Sequence, residues 1–493
     1  MASGDLGPQH TRDYTPSLLH LLSNNLVLYQ TLPYLSISAI LNVAATSHSF
    51  RQLLLQSDTP SVFRHLDLTQ VKTAQFDIEG GIDHGGQVWR NEQVDENLTE
   101  DDFYAGPLRG LFSSLRKRNI LQDVGTLVLD GLSVTAEFVN DILVDPASRI
   151  RILSIREVKN LNERKLMQSL RYACRPSRSE DMPRLKALYY FGSRDAPLLT
   201  AAVVAAPAVE AAPARGARGT NISADWNQKS QQSLKESIAG DGDDWYGRKG
   251  RVINKRIVDG WAETLLDCRE VLQFDTILCT GPRHRNSPAF GKTPVTPASA
   301  SGGSPWGVAT FAVGGCASCG SAPEGFTVYG DTRQQELPLL SPVPLHSSSV
   351  KSATRPAPAM GDIHGRQEFV PRCLECIRER YCFSCNQWWC EACYQVPSRE
   401  ELLAPQHVHI VDEANGLSDH ELAAFEQPPK IKTPKITRSC WECEHNCLDC
   451  IAETQKRCQA CGGGYCIIHH EGSTLKLCDW CSQRRGRRCR ELY

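Results

Sequence analysis

Apolar residues near the start of the chain recur with the spacing of a helix. The stretch SISAILNVAATSHSFRQLLLQS carries them at i, i+3, i+4 and i+7, which places one apolar stripe on a helix that begins after Ser36. A second short helix is predicted to follow, with Ser47 or Ser49 as its cap. Helices this short are marginal in water, so we expect them to pack on each other or on a partner. The residues that form the apolar stripe are Ile37, Ile40, Leu41 and Ala44.

The pattern then changes to short strands of the L-x-L kind. Each is followed by a helix-compatible stretch such as EFVNDIL or ERKLMQSLRYA. The alternation favours an α/β region with parallel strands, arranged as irregular leucine-rich repeats or as an ordinary sheet with backing helices. The strand leucines and their partners are Leu66 and Leu68, Leu127 and Leu129, Leu153 and Ile155, and Leu188 and Tyr190.

Shifts in composition divide the chain into parts. Stretches rich in Ala, Pro, Gly and Ser carry no periodic apolar face and are predicted to be disordered. The predicted fold class is therefore multidomain, with a helical start, an irregular leucine-rich-repeat-like α/β middle and small zinc-stabilised modules at the C-terminal end. The predicted parts are 1–15 (flexible), 16–70 (helical), 71–194 (α/β), 195–250 (disordered insertion), 251–315 (continued α/β with a loose loop), 316–412 (first zinc module, with a disordered loop at 331–365), 413–439 (linker), 440–483 (second zinc module) and 484–493 (basic tail).

Cysteine spacing is the strongest chemical signal. Eight C-x-x-C pairs occur among 21 cysteines, far more than chance would give. A C-x-x-C turn presents two thiolates to one ion, and two such half-sites complete the tetrahedron of a zinc site. The eight pairs are Cys316 and Cys319, Cys373 and Cys376, Cys382 and Cys385, Cys390 and Cys393, Cys440 and Cys443, Cys447 and Cys450, Cys458 and Cys461, and Cys478 and Cys481.

Histidines supply further candidate half-sites. Cys466 and His469 form a ninth pair at the same spacing, with His470 as a less well spaced substitute, and His407 with His409 are a candidate tenth. Nine or ten pairs predict four or five zinc ions. Since every site would be closed by four protein ligands, the metal is predicted to hold structure and to do no chemistry.

The spacing allows two ways of pairing the half-sites of the first module into zinc sites. Both bring Cys373 and Cys376 together with Cys390 and Cys393, skipping the pair between them. The skipped pair, Cys382 with Cys385, then takes either Cys316 with Cys319 or the two histidines. The wiring through the histidines resembles the ZZ-type zinc finger, whose pattern is echoed in RYCFSC and HVH, although only four residues separate Cys385 from Cys390.

The second module is predicted to interleave two sites. Cys458 and Cys461 would join Cys478 and Cys481, while Cys466 and His469 take an upstream pair. That upstream pair is either Cys440 with Cys443 or Cys447 with Cys450.

Competing chemistries are less consistent with the sequence. Disulfides need an oxidising compartment, yet MASGDLGPQH has neither a basic start nor an apolar run. Iron–sulfur runs are more tightly spaced and end in Cys-Pro, which is missing here. No nucleophile motif, P-loop or H-E-x-x-H occurs, and the most apolar stretch, from Pro197, is too interrupted to span a bilayer. A zinc-dependent nucleic-acid-binding protein is a third, weaker alternative, because a net charge of -2 counts against binding nucleic acid. We therefore expect a non-catalytic protein of the cytoplasm or nucleus.

The N-terminal helical segment resembles a known family. LPYLSISAILNVAATSHSFRQLLLQSDTPSVFRHLDLT looks like an F-box, with a Tyr-Leu before the first cap, a Ser-x-Ser-Phe-Arg entry to the next helix and a closing Phe-Arg-x-Leu-Asp-Leu. The usual Leu-Pro upstream is missing. The resemblance implies binding to the adaptor of an SCF ubiquitin ligase and, through it, to the cullin complex. The residues that it implies for adaptor contact, or for the packing beneath, are Leu35, Ile40, Leu41, Phe50 and Phe63.

Two functions follow as expectations. In the first, the chain is the substrate receptor of an SCF-type ligase, with the repeat and zinc regions holding an unknown protein target. In the second, one zinc module is RING-like and recruits a ubiquitin-conjugating enzyme directly. Tryptophans beside the zinc ligands are expected to cover the metal sites or, if exposed, to anchor a partner. They are Trp388, Trp389, Trp441 and Trp480.

Overall fold

The computed structural model describes most of the chain in ten stretches. These are residues 17–56, 62–75, 100–195, 250–292, 305–328, 330–339, 343–344, 349–354, 368–394 and 436–488. They form two compact units, each a mixture of helix and sheet. Unit 1 comprises Met1–Glu210, Thr264–Asp275 and Pro338–Arg355, and unit 2 comprises Ala211–Glu263, Thr276–Leu337 and Pro356–Tyr493.

Most helices and strands of the described residues are short. Most of the helices follow a residue whose side chain caps them. The α-helices are α1 (Leu18–Leu22), α2 (Asn25–Thr31), α3 (Ile37–Thr46), α4 (His48–Arg51), α5 (Glu100–Lys117), α6 (Ala136–Val144), α7 (Glu163–Ala173), α8 (Trp261–Cys268), α9 (Val350–Ala353), α10 (Leu374–Ile377), α11 (Leu448–Thr454) and α12 (Asp479–Arg488). The strands are β1 (His65–Asp67), β2 (Thr126–Val128), β3 (Ile152–Ser154), β4 (Ala187–Tyr189), β5 (Gly250–Arg251), β6 (Gln273–Phe274), β7 (Phe311–Val313), β8 (Thr327–Val328), β9 (Glu368–Arg372), β10 (Ile436–Thr437), β11 (Asn446–Cys447), β12 (Gln455–Arg457) and β13 (Gly464–Cys466).

The N-terminal helices of unit 1 form as the sequence predicts. Ser36 caps α3 by accepting from the Ala39 N–H, and Ser47 caps α4 by accepting from the Phe50 N–H. A 3₁₀ turn follows α2, and a π-helical turn, Gln52–Gln56, follows α4. Side chains from these helices surround one small interior cavity, so the helices share a core. Its lining residues are Leu22, Leu28, Thr31, Leu32, Leu35, Ile40, Val43 and Leu54.

Five parallel strands follow in unit 1, in the order β1-β2-β3-β4-β6. The predicted L-x-L segments supply the first four, and EFVNDIL and ERKLMQSLRYA form α6 and α7 between them. One row of buried side chains crosses the whole sheet, because each strand contributes a residue in register. The residues of this row are Leu66, Leu127, Leu153, Leu188 and Phe274.

Polar side chains close the carboxyl ends of these strands. Arg156, 2% exposed, lies between Asp130 at 2.8 Å and Asp195 at 2.6 Å. Asp275 accepts hydrogen bonds from the backbone N–H groups of Tyr190, Phe191 and Gly192 at 2.8–3.0 Å. These buried charges are paired or hydrogen-bonded, which offsets the cost of removing them from water.

Two boundary predictions are wrong for the described residues. The segment 251–315 does not simply continue the parallel sheet, because β5 and β7 join a separate antiparallel sheet of unit 2 in the order β5-β7-β9-β8. The 331–365 loop is ordered in part, since Leu339, Val343 and Ala353 are buried. Its proline and serine content concealed the few apolar residues that pack.

No helix in the described stretches combines the length and the apolar character that a membrane span requires.

Candidate metal centres

Five clusters of cysteine and histidine in unit 2 are each able to hold one metal ion. In every cluster the four candidate ligand atoms lie within 4.8 Å of one another. The sulfur–sulfur distances of 3.8–4.0 Å in four of the clusters match the edge of a tetrahedron with zinc–sulfur bonds of about 2.3 Å. The clusters are centre 1 (Cys279, His284, Cys373, Cys376), centre 2 (Cys316, Cys319, Cys390, Cys393), centre 3 (Cys382, Cys385, Cys447, Cys450), centre 4 (Cys440, Cys443, Cys466, His469) and centre 5 (Cys458, Cys461, Cys478, Cys481).

Three of the half-sites are the same tight turn. In each, the residue after the second cysteine has a positive φ and its N–H donates to the carbonyl of the first cysteine. Glycine or asparagine tolerates that conformation, which explains the sequences CASCG, CFSCN and CQACG. The residues with positive φ are Gly320 (φ 71°), Asn386 (φ 57°) and Gly462 (φ 73°).

Other half-sites lie at the beginnings of helices. Cys373 is the N-cap residue of α10, Cys447 is the N-cap of α11, and Cys478 immediately precedes α12. Free N–H groups and the positive end of the helix dipole stabilise negative charge at such positions. Centres 3 and 5 therefore each combine one tight turn with one helix start.

Backbone N–H groups point at the sulfurs and favour the thiolate form that binds metal. Cys279 Sγ accepts from the Cys373 N–H at 3.1 Å, and Cys316 Sγ accepts from the Cys390 N–H at 3.2 Å. Backbone hydrogen bonds from Cys478 and Cys461 lower the pKa of the Cys458 thiol to about 6. These sulfurs are thus prepared for metal before any ion arrives.

Centre 1 is the most enclosed, with all four candidate ligands buried. His284 Nε2 lies 3.1 Å from Cys373 Sγ, and Cys279 Sγ lies 3.8 Å from Cys376 Sγ. Burial alone would raise the pKa of the Cys279 thiol, but hydrogen bonds with Cys373, Cys376 and His284 outweigh it and hold that pKa well below its usual value. Centre 1 therefore favours a cation in a site closed to water.

Buried arginines offset the negative charge of the thiolates in this region. Arg372 is fully buried, forms an ion pair with Glu324 and lies over the Trp388 ring, 5.2 Å from its centroid. Arg380 pairs with the buried Glu391 at 2.9 Å. A site of four thiolates around a divalent ion retains two negative charges, so cationic neighbours lower the cost of burying it.

The pairing predicted for the first module is wrong. The structure places Cys373 and Cys376 with Cys279 and His284, whereas Cys390 and Cys393 lie with Cys316 and Cys319. Strand pairing supplies the reason.

β9 runs directly into Cys373, and the Thr280 N–H donates to Pro371 at the end of that strand, so Cys279 lies beside Cys373. A bridge between Tyr381 and Trp388 then turns the chain back, and the Ala317 N–H donates to the Trp388 carbonyl, which brings Cys390 to Cys316.

Both predicted partners of Cys382 and Cys385 are also wrong, because these residues lie with Cys447 and Cys450. His407 and His409 fall outside the described residues. Cys279 and His284, which the sequence analysis missed, stand at C-x₄-H spacing in CTGPRH. That spacing was the available signal.

In the second module the structure resolves the alternative that the sequence left open. Cys440 and Cys443 join Cys466 and His469, and centre 5 contains the four predicted cysteines. His470 is outside the cluster, whose histidine is His469, and the Nδ1 of His470 lies 3.1 Å from the carbonyl oxygen of Cys466.

The five centres interleave along the chain without a break. The second half of each centre follows the first half of the next, from centre 1 through to centre 5. Centre 3 joins the first module, which ends near Tyr394, to the second, which begins near Ile436. The chain segment between the two halves of each centre therefore contains a half-site of its neighbour.

The tryptophans beside the ligands divide into two kinds. Trp388 and Trp389 are buried at 2% and 8% exposure and cover the first module, as expected. Trp441 and Trp480 are 92% and 66% exposed, so the prediction that they cover metal sites is wrong.

The predicted adaptor-contact residues also divide by exposure. Leu35 and Leu41 are each 37% exposed, whereas Ile40 and Phe63 are buried. Phe50 is half-buried. Only the exposed leucines and part of Phe50 are accessible to a partner, and the other two belong to the packing beneath.

Comparison with known protein families, with curated proteins and with solved structures finds no match to this chain.

Proposed function

We propose that this chain is the substrate-recognition subunit of an SCF-type E3 ubiquitin ligase, held in shape by five structural zinc ions. In this proposal the N-terminal helices bind the adaptor, and the α/β and zinc regions hold a protein target. The two parts of the proposal rest on different observations and are tested separately.

The assignment of zinc is supported by the donor sets. Three centres offer four thiolates, and two offer three thiolates and one imidazole. Zinc accepts both sets in tetrahedral geometry, and a site with four protein ligands keeps no position for a water molecule. Zinc here would therefore supply folding free energy and no catalysis.

The observation that carries the receptor proposal is the apolar surface of the N-terminal helices. Although these helices share a core, they leave eight large apolar side chains between 37% and 78% exposed. Such a concentration of exposed apolar residues on a short segment is typical of a surface that binds another protein. Its members are Leu18, Leu21, Leu26, Val27, Tyr34, Leu35, Leu41 and Leu55.

The test is a pull-down with purified adaptor, using the intact chain and a Leu35→Asp/Leu41→Asp variant. Both leucines are exposed, so the variant should fold, while charge within an apolar interface should weaken binding by about 30-fold or more, equivalent to about 2 kcal/mol. Val144→Asp is the matched control, since Val144 is an exposed apolar residue of α6, at 52%. Equal binding by all three proteins, or by none, would remove the support for the receptor.

A surface variant is a sharper test than a truncation. A chain that starts at residue 70 would lack β1, which pairs with β2 through Leu66 and Leu127. Loss of that strand would leave β2 as the sheet edge, and any loss of binding could then reflect misfolding.

The interleaved order of the centres favours a second candidate, a RING-like ligase that recruits a ubiquitin-conjugating enzyme directly. The ligands of centres 1 and 2 alternate along the chain, and so do those of centres 4 and 5. Beside the ligands of centres 4 and 5 lie the exposed Trp441 and Trp480. If the whole chain builds ubiquitin chains with a conjugating enzyme in the absence of a cullin, and Trp480→Ala abolishes this, the second candidate replaces the first.

A further inference from the structure

One face of the parallel sheet in unit 1 is covered by a distant part of the same chain. Because side chains alternate along a strand, Val128, Ile152, Ala187 and Tyr189 project from the same face. They form a buried cluster with three residues that follow position 337. We call residues 338–354 the strap, and the structure describes its residues 338–339, 343–344 and 349–354. The strap residues in the cluster are Leu339, Val343 and Ala353, with Val350 packed against it.

Described residues of the strap lie at both edges of the sheet. The Leu339 N–H donates to the carbonyl of Phe274 in β6 at 2.7 Å. At the opposite edge, the backbone of Pro344 lies close enough to the ring of His65 in β1 to raise the pKa of that ring, against the larger lowering by burial. Since β6 and β1 are the two edge strands, Leu339 lies at one edge of this face and Pro344 at the other.

A third anchor lies at the polar rim of the sheet. The Val343 N–H donates to Asp195 Oδ2 at 3.2 Å, and the same carboxylate pairs with Arg156. Asp195 would keep its guanidinium partner if the strap left. The network of Asp130, Ser154 and Arg156 is likewise complete without the strap, with contacts of 2.6–3.0 Å.

The five strands of the sheet also pair with one another without any residue of the strap. All five strands lie before residue 275, and their ladder hydrogen bonds involve no strap residue. The strap enters from unit 2 after Leu337 and returns to unit 2 at Pro356. Removing it would leave the strand-to-strand hydrogen bonds in place and would expose apolar surface, together with the Phe274 carbonyl of the edge strand β6 that accepts from Leu339.

The sequence of the strap indicates which kind of peptide segment the sheet face binds. Its first half, PLLSPVP, is apolar and carries prolines at 338, 342 and 344. Leu339 and Val343 supply the buried side chains, at 1% and 6% exposure. Proline reduces the conformational entropy that a bound segment must lose, which favours binding of such segments.

We propose that this sheet face is a peptide-binding surface, which the strap occupies in cis and from which an apolar, proline-containing segment of a target protein displaces it. Identifying that target as a ligase substrate rests on the function proposed above, whereas the binding surface itself does not. A tethered occupant acts at an effective concentration in the millimolar range, so it should exclude weak ligands and admit tight ones.

The experiment measures fluorescence anisotropy of a labelled synthetic peptide with the sequence of residues 336–355. Three full-length proteins are compared, namely the unaltered chain, Leu339→Asp/Val343→Asp and the milder Leu339→Ala. Releasing the strap should strengthen peptide binding at least tenfold in the double variant and by a smaller factor in Leu339→Ala. A peptide with aspartate at both positions is the control and should not bind.

Several results would overturn the proposal. If both variants keep the circular dichroism and metal content of the unaltered chain yet fail to bind the peptide, the face accepts no ligand in trans. Equal binding by all three proteins would mean that the strap does not occlude the face. Unfolding of both variants would make the strap an integral part of the core. The assay needs no adaptor, so its failure is distinguishable from failure of the ligase proposal.

Discussion

Cys385 Sγ lies 4.0 Å from Cys447 Sγ, although 62 residues separate them along the chain. This contact belongs to centre 3, which is the middle member of the interleaved series. It makes the two cysteine-rich modules of unit 2 parts of one metal-dependent structure. Metal binding and folding should therefore be coupled across both modules.

Substituting Cys385 should affect more than its own centre. We expect Cys385→Ser to lose one zinc ion and to lower the thermal midpoint of the zinc unit by about 5 °C or more, since neighbouring centres lose a shared constraint. Zinc analysis and thermal unfolding would measure this. Cys174→Ser is the control, because Cys174 is buried in unit 1 and belongs to none of the five clusters. Loss of zinc without any change in the midpoint would contradict the coupling.

Cys316 and Cys390 should be equivalent, because they are ligands of the same centre. We expect Cys316→Ser and Cys390→Ser to lose the same single zinc ion and similar stability, and the double variant to lose no further zinc. Zinc content of the three variants, measured side by side, checks this. A larger zinc loss from Cys390→Ser alone would restore the pairing of Cys390 with Cys373.

Two glycines beside metal ligands should respond differently to the same substitution. A Cβ on Gly281 would overlap the sulfur of Cys376, so Gly281→Ala should disrupt centre 1 and cost about 2 kcal/mol or more of stability. A Cβ on Gly463 would meet Cys461 Sγ at an ordinary 3.5 Å, so Gly463→Ala should retain all metal. Metal content and denaturant midpoints would compare them. Equal behaviour would show that centre 1 is not packed as described.

His65 should make unit 1 less stable as the pH falls. Burial lowers its pKa, and the opposing effects of Asp67 and the Pro344 carbonyl are smaller. The unfolded chain therefore takes up a proton near its ordinary pKa of about 6.5, while the folded chain resists it, and stability is lost as the pH falls through that value. The loss ends once the pH falls below the lowered pKa of His65 in the folded chain.

Denaturant unfolding between pH 7.5 and pH 5 would reveal this dependence. Acid also protonates metal ligands, so the readout is the difference between the unaltered chain and His65→Gln, which cannot titrate. The His65→Gln chain should show the weaker dependence on pH. Identical slopes would mean that His65 titrates normally in the folded chain.

The local features of the fold were predictable because they depend on neighbours in sequence. Ser36 and Ser47 cap the predicted helices, and the L-x-L segments form strands, since capping and alternation operate over a few residues. The C-x-x-C turns were predictable for the same reason. A half-site is a local structure.

The partners of those half-sites were not predictable, because they depend on strand pairing over long distances. Cys279 reaches Cys373 only because Thr280 lies against Pro371 at the end of β9, 91 residues away. The C-x₄-H spacing of Cys279 and His284 also lacks the repetition that marked the other pairs. The strap escaped prediction because Leu339 and Val343 stand among prolines and serines, and a single spacing of four residues fits a helix and a strand equally and so indicates neither.

Native mass spectrometry of the full-length chain tests the central claim, which is that five interleaved zinc ions organise unit 2. The protein purified without chelator should carry five zinc ions, and Cys385→Ser should carry four or fewer. Three or fewer zinc ions on the unaltered chain, or iron in their place, would contradict the account.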